Sequence, residues 1–409
     1  MDGANVQHLI ALGLVMSAGF MAGTWGERFG IPRVASYVFV GALFSAELLG
    51  SVLPFGVWGW SSVLTDIALG AIAFLVGAEF QLQWLRRRSA SILLGVLGQS
   101  LGAVLVVTAG IWAFGALFMG GFSLGTALVL GAIASATAPA ATIAVIEEYK
   151  AKGPLTRMLL SLVAIDDMLA IVFFTLVMSL AAAGAEAGRL STAAREIGFS
   201  LAAGTALGLA LGWFARRIES DELRLPVILG FVLLTLGLAG RLEFSPLLSC
   251  MVLGYMSKLV AAEESDLCLS PMSHIREAIF LIFFTLAGAH FEFHVFVGAA
   301  GFIAAYILLR TAGKYSGAFV GTWLGGAPAA VRNNVGLSLL PQAGVSIGLA
   351  LTVSEAAGFS HHGPLILNTI IGSTIVFELS APIAAKLGLK RAGETGAADD
   401  NSEEGPEAV

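Results

Sequence analysis

Long apolar runs, each about the length of a bilayer-crossing helix, follow one another along the chain with short polar breaks between them. A membrane-spanning helix needs about 20 mostly apolar residues. The pattern predicts thirteen spans, at about 6–25, 31–50, 60–80, 90–114, 124–147, 154–183, 193–215, 223–240, 245–260, 274–296, 298–324, 333–355 and 363–388. The expected fold class is therefore an all-α polytopic membrane protein. Several runs are interrupted by Gly or Pro, which membrane helices tolerate where neighbours re-satisfy the freed backbone groups.

Composition points the same way. Apolar residues make up 57% of the chain and charged residues 12%, against about 25% charged in soluble proteins. The net charge of −6 changes the picture at one end only. From Ala392 onward the sequence holds Glu394, Asp399, Asp400, Glu403, Glu404 and Glu407 with no basic residue, so the body is neutral. Residues 1–388 are expected to form the membrane body, and 389–409 a disordered acidic tail. Cys250 and Cys268 are too few for a disulfide framework. No cleavable signal is expected, because the residues before the first span lack a basic stretch.

Lys and Arg set the orientation. Of the 22 basic residues, seventeen fall in alternate loops, three (Arg189, Arg195, Arg241) in the opposite loops, and two (Arg310, Lys314) inside a span. Positive residues mark the cytoplasmic side. The expected topology has the N-terminus outside, the C-terminus in the cytoplasm and the body in the inner (plasma) membrane. An odd span count keeps this alternation intact.

Thirteen spans suggest two six-span units, 1–6 and 8–13, joined by the seventh and running in opposite senses as inverted repeats. Span 5 carries Ala134-Ser135-Ala136-Thr137-Ala138-Pro139-Ala140-Ala141-Thr142. Span 12, its counterpart, carries Pro341-Gln342-Ala343-Gly344-Val345-Ser346-Ile347-Gly348. Both are small, polar and interrupted. Paired broken helices at matching positions point to a transport site.

The costliest residues lie in span 6. Asp166 and Asp167 sit near its middle, about 20 Å from its start at 1.5 Å per residue. A charge at that depth costs at least ~2.5–3.5 kcal/mol and usually marks an ion path or proton relay. Consecutive helical residues point about 100° apart, so these two carboxylates need different partners. Lys314 in span 11 is a candidate counter-ion. Arg310 is one turn earlier on the same face, with Glu378 as a candidate partner. Thr137 and Thr142 in span 5 and Gln342 and Ser346 in span 12 offer oxygen, either to a cation or across helix contacts. Pro139 supports the break in span 5. Asp66 and Glu79 lie toward opposite ends of span 3. An all-oxygen site suits a monovalent cation, whereas transition metals prefer His or Cys. The six histidines fall at or near span ends, and His361 and His362 are placed to tune an outer mouth.

With those residues in place, the sequence resembles the monovalent cation:proton antiporter superfamily, in the bacterial branch that holds Nap-type sodium/proton antiporters and Kef-type potassium systems. The resemblance covers roughly residues 8–388. It rests on Leu64-Thr65-Asp66-Ile67-Ala68-Leu69-Gly70 with Phe74-Leu75-Val76-Gly77-Ala78-Glu79, on Thr137-Ala138-Pro139, on Ile165-Asp166-Asp167, and on Phe283-Phe284-Thr285-Leu286-Ala287-Gly288. Gly313-Lys314, Leu339-Leu340-Pro341-Gln342-Ala343-Gly344-Val345 and Phe377-Glu378-Leu379 complete the ordered set. The resemblance implies a dimerisation domain and a mobile core (about 90–183 and 274–388), with two discontinuous helices crossing near the membrane centre. It implies that Asp167 binds the cation and the proton, that Asp166 partners Lys314, and that Thr137 is the threonine of the unwound segment. Kef-type systems add a nucleotide-binding domain, and this sequence holds no G-x-G-x-x-G.

The expected function is secondary active exchange of Na+ (Li+ also, or K+) for H+, with no enzymatic activity, cofactor, nucleic acid or nucleotide-binding domain. Antiporters of the superfamily with asparagine at the first position of the pair look electroneutral, so the resemblance with Asp166 in that place implies electrogenic exchange, with electroneutral exchange as the alternative. Lipid and a second copy of the chain are the expected partners, the latter supported by the small face Ala18, Gly19, Ala22 and Gly23. An intramembrane aspartyl protease would need aspartates on separate helices. A channel or a sodium-coupled symporter would not need a buried lysine beside a titrating aspartate.

Overall fold

The computed structural model describes residues 3–29, 31–45, 47–48, 61–80, 90–120, 122–183, 189–261, 267–359 and 361–395, and these are almost wholly helical. The helices are α1 (Gly3–Arg28), α2 (Arg33–Leu43), α3 (Ser61–Glu79), α4 (Ala90–Phe118), α5 (Leu124–Ser135), α6 (Pro139–Glu148), α7 (Pro154–Ala183) and α8 (Arg189–Ala215). They continue as α9 (Asp221–Leu242), α10 (Pro246–Val260), α11 (Leu269–Ala289), α12 (Phe293–Gly298), α13 (Ala300–Leu324), α14 (Ala329–Arg332), α15 (Val345–Glu355) and α16 (Gly363–Arg391). A 3-10 turn, Val335–Leu339, precedes α15. Eight of the described helices are long and apolar enough to cross a membrane: α1, α3, α4, α7, α8, α9, α11 and α16.

Two groups of helices can be followed by packing. In one, α10 lies against α8 and α3, and α11 lies against α2, α3 and α1. In the other, α4 packs along α13, α5 and α7, while α16 packs on α6, α13 and α15. The segment from 274 to 289, expected with the second group, thus packs with the first.

The α4–α13 contact sets the reach of the site residues. Gly98 and Gly102 on α4 face Gly313, Gly317 and Gly321 on α13. A Cβ on Gly317 would sit 2.1 Å from the Gly98 carbonyl oxygen, and one on Gly102 2.5 Å from that of Gly313. Small residues let helix backbones approach closely inside a membrane. The close approach brings Lys314 within reach of α4.

Both expected breaks are present. Pro139 stands at the first turn of α6, where its missing N–H costs nothing. Ala136 (ψ 144°) and Ala138 (ψ 109°) are extended, as the residue before a proline prefers. The second break runs through residues 340–344 and ends at Gly344, whose φ of 54° and ψ of −108° favour glycine. The two unwound segments touch: the Ala138 N–H donates to the Pro341 carbonyl at 3.1 Å.

One boundary differs from expectation. The tail expected from residue 389 is helical through Arg391, and Glu394 is buried, 7% exposed. The carboxylate meets the free amides at the start of α7, a partner that composition does not reveal. Residues 396–409 lie outside the described residues.

Candidate functional site

On α7, burial separates the two aspartates. Leu155, Leu159, Leu162 and Asp166, at helical spacing, form a face that is fully buried. Leu160, Ala164 and Asp167 form the more open stripe, where Asp167 is half-buried. The 100° offset between neighbours therefore gives one carboxylate a protein environment and the other an open one.

Asp166 has four partners. Gln99 Nε2 donates to its Oδ1 and Thr137 Oγ1 to its Oδ2. Ser100 Oγ donates to Oδ1 at 3.1 Å, and Lys314 Nζ to Oδ2 at 3.1 Å. Lys314 also donates to Gln99 Oε1 at 2.7 Å and to Thr137 Oγ1 at 2.5 Å. Lys314 and Asp166 are both fully buried. Such a pair persists only where further hydrogen bonds satisfy each ion, and Gln99 and Thr137 each bridge both. Asp167 makes no hydrogen bond or ion pair among the described residues.

Arg310 takes a different role from the one expected. Its Nε donates to the Ala134 carbonyl at 3.1 Å, Nη1 to Leu340 at 2.6 Å, and Nη2 to Ala136 at 2.7 Å and Pro341 at 3.3 Å. Its guanidinium lies 4.5 Å from the Phe377 ring centre. The carbonyls at both breaks are thus held by a resident cation. The negative C-terminal end of α5 and the carbonyls left free after the 3-10 turn account for the attraction. Glu378, offered as the partner of Arg310, is 2% exposed, and its Oε1 has no hydrogen-bond partner among the described residues.

The other expected residues scatter. Thr142 Oγ1 donates to the Ser338 carbonyl at 3.1 Å, tying α6 to the 3-10 turn before the second break. Gln342 Nε2 donates to the Tyr306 hydroxyl at 3.0 Å and its Oε1 accepts from Ser373 at 3.3 Å. Ser346 Oγ is buried and has no hydrogen-bond partner among the described residues. Glu79 is not a buried charge partner: it is exposed and pairs with Arg276 at 2.5 Å, at the end of α3 where water reaches. Asp66 is exposed. Glu47, Glu292 and His294 bring ligand atoms within 4.8 Å of one another, a spacing open to a metal ion. Both His294 nitrogens already face carboxylates there, which accounts for the grouping as ion pairing.

Sequence reasoning missed Gln99 and Ser100. Their signal was a polar dipeptide in the middle of span 4. It also missed Tyr306, an aromatic hidden in an apolar run.

Comparison with known proteins adds the family. Over 400 residues the chain is 25% identical to the ammonium/H(+) antiporter subunit AmhT of Alkalihalophilus pseudofirmus, covering 95% of this chain and 97% of that protein. Its fold is similar to that of the sodium proton antiporter MjNhaP1 from Methanocaldococcus jannaschii at pH 8, with TM-score 0.73, 18% identity and coverage of 96% of this chain and 99% of that one. An electron-microscopy structure of the same antiporter gives TM-score 0.70 at 19% identity, again over 96% and 99%. The model of the transmembrane sodium/hydrogen exchanger family matches residues 15–386. Matched by that family model over nearly its whole length, the chain belongs to the sodium/hydrogen exchanger family, a family of membrane transporters.

Proposed function

We propose that this protein is a secondary active antiporter that exchanges a monovalent cation for protons by alternating access, with Asp167 as the carboxylate that carries both. One observation carries this reading: Asp166 is saturated by four partners, whereas Asp167, next to it, is half-open and has none among the described residues. A dehydrated cation needs an ionised carboxylate that is not already spent on protein donors. A returning empty carrier needs the same group protonated. One carboxylate that does both makes cation and proton compete for a site, which is exchange rather than a pore.

Sodium is the proposed substrate, with lithium accepted. The name of the relative from A. pseudofirmus favours testing ammonium beside potassium as the alternative. Thirteen spans in two inverted repeats, an outer N-terminus, a cytoplasmic C-terminus and a homodimer in the inner membrane complete the reading. The mobile core comprises 90–183 and the part of 274–388 that begins at α13, since α11 packs on α2 and α3.

Exchange is electrogenic in this scheme. Cation binding at Asp167 draws on the same network, and if it frees Lys314 from Asp166, the buried ammonium loses its counter-ion. Desolvation then favours release of its proton. On the return step Asp167 and Lys314 each take up a proton, so two cross per cation. A pair that stays locked leaves only the Asp167 proton and one-for-one, electroneutral exchange. Proteoliposome flux under an imposed pH gradient, with sodium, potassium, lithium and ammonium in turn, tests the reading. Cation-driven proton movement in the native protein and its loss in Asp167→Asn are expected, and normal flux in Asp167→Asn would falsify the assignment.

A further inference from the structure

Glu394 follows α16 in sequence, yet its carboxylate lies at the start of α7. Oε1 accepts from the Leu155 N–H at 2.6 Å. Oε2 accepts from the Thr156 N–H and the Thr156 hydroxyl, both at 2.8 Å. The backbone adds to the tie: the Lys152 N–H donates to the Glu394 carbonyl at 3.1 Å, and the Glu394 N–H donates to Leu389 at 3.1 Å. The first amides of a helix lack partners within it, and its N-terminus favours negative charge. A carboxylate from a distant part of the chain satisfies both needs here. Gly153 makes room for it, since a Cβ at that position would lie 2.2 Å from the Glu394 carboxyl carbon.

The helix so anchored carries Asp166 and Asp167, about 18 Å further along at 1.5 Å per residue. That distance is too long for a direct effect of one charge on the other. It is short for a rigid rod, whose placement at one end fixes its placement at the middle. The other helix in the tie, α16, packs on α6 and α15, the two half-helices of the crossing. The contact therefore links the aspartate helix to the crossing from outside the network around Lys314.

We propose that Glu394 is a positioning residue for ion exchange: by capping α7 it fixes the placement of Asp167 against the crossing helices. This rests on the reading that Asp167 carries the exchange. Glu394→Gln keeps the shape and removes the charge, and Gly153→Ala displaces the carboxylate from the opposite side while leaving Glu394 in place.

In proteoliposomes each variant is expected to raise the apparent KM for sodium about tenfold, within the roughly 10²-fold that a misplacement of about 1 Å can cost, with maximal rate and melting temperature near those of the native protein. Combining the two should add little to either alone. An unchanged KM in both, or activity that falls only with the amount of folded protein, overturns the proposal. Hydrogen–deuterium exchange separates this from a failure of the transport reading, because it needs no flux. Glu394→Gln should weaken amide protection along α7 as far as Asp166 and Asp167, and a change confined to the first turn overturns the proposal even if the native protein exchanges sodium normally.

Discussion

Arg310 and Lys314 stand one turn apart on the same face of α13, yet one is held by four backbone carbonyls and the other by side chains around a carboxylate. The guanidinium forks, so it can reach both broken helices at once. The ammonium is a compact point charge suited to a single acid. Neither could replace the other.

Arg310→Lys is the direct test of that division. Lysine keeps the charge but cannot span carbonyls on two segments, so several buried acceptors lose their donors. Each buried acceptor left without its donor costs about 1–3 kcal/mol. A clear fall in melting temperature in detergent is expected, with loss of exchange. A variant that melts and transports like the native protein would show that the crossing holds without its brace.

Thr137→Val removes one hydroxyl at nearly constant volume and leaves Asp166 and Lys314 each a partner short. An unsatisfied buried group costs about 1–3 kcal/mol. Exchange should slow about tenfold or more on that scale. Retention of full rate would mean that Gln99 alone suffices to bridge the pair.

Asp166→Asn tests the two-proton scheme. With the counter-ion neutralised, Lys314 no longer alternates between paired and stranded. Flux clamped by valinomycin should depend on membrane potential in the native protein and lose that dependence in the variant. Native rates indifferent to the imposed potential would leave Asp166–Lys314 as a structural bridge.

Gly317→Val inserts a branched side chain where α4 and α13 nearly touch. The helices must separate, which draws Lys314 away from Gln99. Expression of folded protein should drop sharply, and Gly298→Val, with nothing within 4 Å of its added Cβ, should be tolerated.

Glu47, in the turn after α2, hydrogen-bonds His294 in the first turn of α12. That bond holds the imidazole above its ordinary value and the carboxyl below its own. A raised imidazole stabilises the fold at pH below 6.5 and loses this as pH rises through its folded value. A lowered carboxyl stabilises above its ordinary 4.5 and loses this as pH falls. The gap in melting temperature between the native protein and His294→Ala should therefore be widest at roughly pH 5–6, small in size because the pair is exposed. An equal gap at pH 9 would rule out the ion pair as its source.

The amino-acid order alone carries the helical membrane character, because length and apolarity of each run are local properties that the bilayer reads directly. It also determined the two breaks, since Pro139 and Gly344 act on their own backbone, and it singled out Asp166, Asp167 and Lys314 by the cost of burying charge. What those charges touch was decided only by tertiary structure. Arg310 reaches for carbonyls rather than Glu378 because the fold turns the free carbonyls of both breaks toward it. Gln99 and Ser100 matter because α4 packs between α7, which brings Asp166, and α13, whose glycine seam brings Lys314. Glu394 reads as one acid of a solvated tail until the end of α16 meets the start of α7, more than two hundred residues earlier in the chain. Partners so far apart in sequence leave no local pattern, and only the packed chain brings them together.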